Sequence, residues 1–216
     1  MGQKINPIGF RVGKFMPWKS RWFVDNGTYK DLLLEDIKIR KTLMEKLKLA
    51  GVVTVEIERL PKSMVITLTV SRPGVVIGRG GTGIEEVKKL VMEIIRGVRG
   101  KKLGNIKIDL HVQEVKNPEI SAHLVASRIA GDLERRMPHR RTVMKTMERV
   151  MTSGADGIKI VLAGRIGGAD IARSEVYHKG SIPTQTLRAN IDYAQVPANG
   201  IRGYVGVKVW IYKEKE

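Results

Sequence analysis

Val76-Ile77-Gly78-Arg79-Gly80-Gly81-Thr82-Gly83-Ile84 is the stretch on which the reading of this chain turns. Four glycines fall in it, an apolar pair leads in, and an amphipathic segment leads out. Ile84, Val87, Val91, Ile94 or Ile95, and Val98 recur at helical spacing, so the glycines open a helix. Thr82 and Glu85 predict a capping box at its start, and Arg96, Arg99, Lys101 and Lys102 crowd its end, where the dipole favours cations. A loop without side chains lets phosphate oxygens come close to the backbone, and the helix amides behind it favour an anion. Arg79 adds a cation between the glycines. Read literally, Gly78, Gly80 and Gly83 also satisfy the dinucleotide fingerprint G-x-G-x-x-G. That fingerprint needs a strand, a tight turn, a helix and a second strand ending in an acid. Here Pro73-Gly74 and an apolar half-turn intervene, Asp109 falls in mid-strand, and no Walker lysine follows.

Working outward, Leu33, Ile37, Leu43, Met44 and Leu47 predict a helix over residues 31–49, closed by Gly51. Strands are expected at 52–58, where Val53, Val55 and Ile57 alternate with polar residues, at 64–70, and after the long helix at 106–112. The central stretch resembles V-I-G-x-x-G-x-x-I, the core of the K-homology (KH) family of RNA-binding domains. The order helix, strand, strand, short helix, loop, long helix, strand is similar to that family's prokaryotic type II arrangement. The resemblance implies an RNA-binding loop of Ile77, Gly78, Arg79, Gly80 and Gly81 that clamps the backbone of about four nucleotides beside an apolar groove for bases. Glu85 and Glu86, in the first helical turn, oppose that binding.

The second half opens at Asn117-Pro118, a cap and first-turn proline for a helix carrying Ala122, Val125, Ile129 and Leu133. Pro138 ends it and begins another, with Val143, Met147 and Val150 inward. Four strands are expected at 157–164, 170–177, 187–196 and 202–212, with Asn199-Gly200 as the last hairpin turn. The fold class is therefore α+β: a type II KH domain with helices on a three-stranded sheet, then two helices on a four-stranded, mainly antiparallel sheet. The expected divisions are a basic arm at 1–30, the KH domain at 31–114 and the C-terminal domain at 115–216.

Charge names the partner class. Thirty-nine Lys and Arg against 22 Asp and Glu leave +17 among 216 residues, a field that attracts polyanions. The first 24 residues contain no acid, while Lys4, Arg11, Lys14, Lys19 and Arg21 alternate with Phe10, Phe15, Trp18, Trp22 and Phe23. Rings and cations together suit an arm that lies on something anionic, the rings available to stack or to anchor the arm to its own domain. A second concentration, Arg135, Arg136, Arg140, Arg141, Lys145 and Arg149, contains only Glu148 as an acid. Arg141, Lys145 and Arg149 share one helix face, roughly opposite Val143, Met147 and Val150. An ordinary solvated basic face is the plainer alternative, but the near absence of acids favours polyanion contact.

Other chemistry is excluded by the residues at hand. No apolar run reaches about 18 residues, and the N-terminus lacks a signal core or a myristoylation serine, so no membrane partner is expected. Absence of Cys removes disulfides, thiolate nucleophiles and Cys-type zinc sites, which suits a cytoplasmic protein. His111, His123, His139 and His178 show no metal-ligand spacing. Glu35-Asp36 and Glu85-Glu86 read as solvated helical carboxylates, and no nucleophile elbow occurs. No catalytic residue, metal or cofactor is expected.

Longer blocks carry a more specific resemblance. Met1-Gly2-Gln3-Lys4-Ile5-Asn6-Pro7, Gly9-Phe10-Arg11, Gly164-Arg165-Ile166-Gly167-Gly168-Ala169-Asp170-Ile171-Ala172-Arg173, Thr186 to Tyr193, and Gly206-Val207-Lys208-Val209-Trp210-Ile211 resemble the bacterial family of small-subunit ribosomal protein three. This resemblance implies a place in the head of the small ribosomal subunit, with small-subunit rRNA and mRNA as partners. It also implies small-subunit proteins ten and fourteen as neighbours in the head, and proteins four and five where mRNA enters. Arg140 and Arg141 match the family's paired arginines at that opening, implicated in separating structured mRNA. The third basic position departs: Met144 stands there and Lys145 follows, which turns the charge by about 100°. Lys4, Arg11, Lys14, Arg21, Arg72, Arg136, Arg149, Arg165 and Arg173 are the further rRNA contacts expected. A free-standing KH regulator would need only the first domain, and a dinucleotide enzyme would show turnover.

Overall fold

The computed structural model describes residues 4–24, 26–60, 63–99 and 107–213. Met1, Gly2, Gln3, Pro61, Lys62, Lys101, Lys102, Ile106, Glu214, Lys215 and Glu216 lie outside the described residues. In chain order the elements are α1 (Pro7–Arg11), β1 (Ser20–Arg21), α2 (Asn26–Lys46), β2 (Val52–Arg59), β3 (Ser63–Val70), α3 (Pro73–Ile77), α4 (Thr82–Arg99) and β4 (Lys107–Glu114). They continue as α5 (Ala122–Glu134), α6 (His139–Thr152), β5 (Gly157–Gly164), β6 (Arg173–Gly180), β7 (Ile191–Gly200) and β8 (Gly203–Tyr212). Two compact units result: Trp18–Lys116, and the stretch up to Pro17 together with the chain from Asn117 onward. The first residues thus group with the C-terminal half rather than forming a unit of their own. Among the described residues, no helix is long and apolar enough to cross a membrane.

In the first unit β2 and β3 pair antiparallel, and β3 and β4 pair parallel, the α3–α4 segment supplying the crossover that parallel strands require. The two-residue β1 adds to the free edge of β2. Alternate residues of β3, Met64, Ile66, Leu68 and Val70, meet Val87, Val91 and Ile95 of α4 in the core. This is the expected helices-on-sheet arrangement.

Helix α2 presents a different face from the one its apolar residues suggest. Leu33 and Ile37 are exposed, while Leu32, Glu35, Asp36, Ile39 and Leu43 are buried. The reason is an ion cluster. Arg59 on β2 reaches Glu35 Oε2 at 2.8 Å and, with Nε, Asp36 Oδ1 at 2.9 Å. Trp22 Nε1 and Ser20 Oγ also donate to Asp36, at 2.8 and 2.9 Å. Two carboxylates expected in solvent are therefore interior groups, tolerable because each is hydrogen-bonded to a charged donor. They orient the helix.

In the second unit the sheet order is β6-β5-β8-β7, antiparallel throughout. Helices α5 and α6 cover one face, burying Val125, Ile129, Val143, Met147 and Val150 against Ile158, Ile160, Leu162, Val207, Val209 and Ile211. Asp192 on β7 accepts the Ala122 amide at 2.7 Å, so a neighbouring strand caps α5.

The bounds of β6 and β7 and the start of β8 differ from expectation. Strand β6 begins at Arg173 and runs to Gly180, and β7 begins at Ile191 rather than 187. Leu187 to Asn190 lie in a turn segment because nearby carbonyls there face inward to Arg11. Its Nε donates to Ala189 O (2.9 Å), Nη2 to Thr184 O (3.1 Å) and Thr186 O (2.8 Å), and Nη1 to Pro7 O (3.0 Å). The last hairpin pairs Gly200 with Gly203, so Ile201-Arg202 form the turn and Asn199-Gly200 belong to β7. Ala198 is buried and the Asn199 amide donates to Glu134, which holds that register.

Candidate nucleic-acid interface

The glycine loop is built by two helices meeting at a sharp angle of chain. Pro73 starts α3 at its first turn, and buried Val76 anchors it. Gly78 follows at φ +69°, a conformation costly for residues with a side chain. A Cβ on Gly78 would stand 2.9 Å from the Gly83 amide nitrogen, and one on Gly83 would stand 2.4 Å from the Val76 carbonyl oxygen. Those two glycines let α3 and α4 touch. Gly80 and Gly81, at φ +63° and +83°, have open space where a Cβ would be. They are required by backbone conformation alone, and they leave the loop surface clear.

Arg79 and Gly80 are exposed on this surface, and Val75 and Ile77 are exposed apolar neighbours. Behind them α4 runs 18 residues, its N-terminal dipole aimed at the loop. Thr82 is already helical, and its hydroxyl donates to the Arg79 carbonyl at 3.1 Å. The expected capping-box role of Thr82 is thereby replaced by closure of the loop. Gly78 follows a helix rather than a strand, so the dinucleotide fingerprint lacks its structural context.

Helix α6 carries the second group. Thr142, Val143, Thr146, Met147 and Val150 face the core, which turns Arg141, Lys145 and Arg149 outward. Arg140, Arg141 and Lys145 are exposed, and no ion pair joins any of them to a carboxylate among the described residues. Arg136, just before α6, has φ +62°. It occupies the left-handed position that ends α5, where glycine is usual, with the Met137 amide reaching Asp132 O at 3.0 Å.

The remaining candidates divide by their surroundings. Lys4, Lys14, Arg72 and Arg149 are exposed. Arg21 pairs with Glu56 and Glu58, Arg165 with Asp170, and Arg173 with Glu175, so RNA would have to compete with a carboxylate. Arg11, expected among the rRNA contacts, is 1% exposed, and its guanidinium is used by four carbonyls. Burial also lowers its pKa. It is an internal crosslink.

His139, at the start of α6, places Nε2 3.1 Å from Glu175 Oε2, close in distance yet without hydrogen-bond alignment. The Tyr177 hydroxyl and the Arg173 guanidinium, both donating to Glu175, hold that carboxyl below its ordinary value. Among the described residues no three His, Asp or Glu side chains group as metal ligands.

Comparison with known proteins adds what geometry leaves open. Residues 38–120 match the KH domain model, and residues 129–211 match the model of ribosomal protein S3, C-terminal domain. The chain is 47% identical over 213 residues to small ribosomal subunit protein uS3 of Persephonella marina, covering 99% of this chain and 90% of that one. The namesake proteins of Caldicellulosiruptor saccharolyticus and Clostridium novyi are 46% and 44% identical over the same length, with 92% and 93% of their chains covered.

Proposed function

The chain belongs to the uS3 family of small ribosomal subunit proteins, and from that premise we propose that it is a structural, non-enzymatic constituent of the subunit head. It binds rRNA and lines the opening through which mRNA enters. The observation that carries this reading is the exposed Gly78–Gly81 loop, with open left-handed glycines and a long helix dipole behind it. Phosphates meet backbone amides there, and Arg79 adds charge.

At the second site Arg140, Arg141 and Lys145 hold the phosphates of the incoming strand. A grip on the strand resists back-sliding and biases a fraying duplex toward opening, while translocation supplies the motion. Lys4, Lys14, Arg72, Arg136 and Arg149 add rRNA contacts, each contributing to a binding free energy that falls with salt. Tyr29, Leu33 and Ile37 form an exposed stripe on α2 at i, i+4, i+8, with Leu34 beside it. That surface suits the protein neighbours, ten and fourteen in the head, while proteins four and five stand near the mRNA opening.

The test is co-sedimentation of the full chain with small subunits after a high-salt wash, with single-stranded RNA titrations beside it. Arg79→Asp with Gly80→Asp should abolish most RNA affinity, because two anions replace the phosphate site. Asp accepts the left-handed conformation of Gly80 at about 1 kcal/mol, so the fold should survive. Unchanged affinity in the double variant would overturn the loop assignment. A wild-type chain that washes off the subunit would overturn the ribosomal one.

A further inference from the structure

Helices α5 and α6 cover one face of the second unit's sheet, while on the opposite face the short α1 packs at the β7 edge, where Ile191 is buried. Ile158 and Ile160 on β5, and Val207, Val209 and Ile211 on β8, point to the core, so Lys159, Lys208 and Trp210 point the opposite way. The register aligns Tyr193, Trp210, Lys159 and His178 in one row across all four strands. The Tyr193 and Trp210 rings are 5.1 Å apart and tilted, and Lys159 Nζ lies 5.6 Å from the Trp210 ring centroid. Lys208 occupies the next row, and Tyr204, 68% exposed, stands farther along β8.

The charge distribution on these strands is one-sided. Among the described residues no Asp or Glu takes an outward position on β5, β6, β7 or β8. Their acids, Glu175 and Asp192, fall at the alternate, helix-side positions. The N-terminal segment adds to the imbalance: Lys4 lies beside Lys159, and their repulsion, after burial, lowers the Lys159 pKa. Two neighbouring ammonium groups, on a face where no strand carries an outward carboxylate among the described residues, make a place for an anion. Aromatic rings in the same row make a place for a flat, apolar group. Bases joined by phosphates supply both.

We propose that this outward sheet face is a second RNA surface, on which bases of a single strand stack at Tyr193, Trp210 and Tyr204 while Lys159 and Lys208 hold the phosphates between them. The proposal rests on the RNA-binding reading of the chain and adds a site distinct from the glycine loop and from α6. Its specificity is for single strands, because a paired base presents no free face to a ring.

The experiment uses the full chain with the glycine loop disabled by Arg79→Asp and Gly80→Asp, and a thiouridine-containing single-stranded oligouridine as probe. Residual binding is measured, and photo-crosslinks are mapped by peptide. Crosslinks in β7 and β8 are expected, and Tyr204→Ala with Lys208→Gln should lower residual affinity about tenfold. Both side chains point away from the core, so folding is preserved, which circular dichroism checks. Crosslinks confined to α6, no residual binding, or affinity unmoved by the two substitutions would each overturn the sheet-face site. So would loss of a protein neighbour's binding with RNA affinity intact, which would make the face a protein-docking surface. Failure of the loop-intact chain to bind RNA would instead overturn the parent reading.

Discussion

Arg11 in the N-terminal segment and Arg141 in α6 carry the same guanidinium into opposite surroundings. Arg11 is enclosed by the carbonyls of Pro7, Thr184, Thr186 and Ala189 and ties the first residues to the turn before β7. Arg141 stands on the outward face of a helix whose other face is filled by Val143, Met147 and Val150. Both lie in acid-poor, basic stretches. The difference teaches that a local excess of cations measures how many are present, and that the environment decides how many can meet a polyanion. A guanidinium has five donors, and backbone carbonyls can occupy them as fully as phosphate can.

The comparison can be broken most forcefully at Arg11. Arg11→Met should leave four inward carbonyls without their donor and cost on the order of 3 kcal/mol or more in urea unfolding. Arg11→Lys should recover little, since an ammonium cannot span carbonyls on both sides. A variant with an unchanged midpoint but weakened RNA binding would put Arg11 in the same class as Arg141.

A smaller effect is expected where an arginine meets a half-buried carboxylate. Arg128 forks onto Glu119, and that hydrogen bond holds the Glu119 carboxyl below its ordinary value. A carboxyl depressed on folding stabilises the protein above its unfolded pKa, and that contribution is lost as pH falls through the folded one. Glu119→Gln should therefore lower stability at neutral pH by less than about 1 kcal/mol, because both groups are about one-third exposed and screened by solvent. The gap between variant and wild type should close as pH drops below about 4. A gap independent of pH would mean that packing, not charge, joins the pair.

The smallest effect on folding belongs to α6. Arg140→Ala with Arg141→Ala should shift stability by no more than about 0.5 kcal/mol. The variant subunits should still slow on messages with a stable downstream hairpin, measured as the ratio of elongation rates with and without the hairpin. Lys145→Ala should add less if its one-residue offset turns it from the channel. An unchanged ratio for the arginine pair would remove the strand-gripping role from this helix.

Much of the local geometry of the candidate site was readable in the residues because its requirements are local. Gly80 and Gly81 are needed for left-handed backbone, and Arg140 and Arg141 are placed outward by a helical period with an apolar opposite face. The ion cluster of Glu35, Asp36 and Arg59 was not readable, since Arg59 is 23 residues from Asp36 and nothing in the helix pattern distinguishes a buried acid from a solvated one. The start of β7 was misplaced for a related reason. Leu187, Ala189, Ile191 and Tyr193 alternate as a strand should, yet the carbonyls of Thr184, Thr186 and Ala189 are drawn to a side chain over 170 residues earlier.

By itself, then, the sequence determined the order of the main helices and strands, the glycine loop at the head of α4 and the basic face of α6. Each of these follows from interactions between residues a few positions apart, where chain geometry leaves one arrangement. Only the tertiary structure decided that Arg11 is an internal crosslink, that α2 turns its acids inward and Leu33 and Ile37 outward, and that Tyr193, Trp210 and Lys159 share one row. Those outcomes depend on which distant group arrives to satisfy a donor or a charge removed from water, and that choice is made when the core closes.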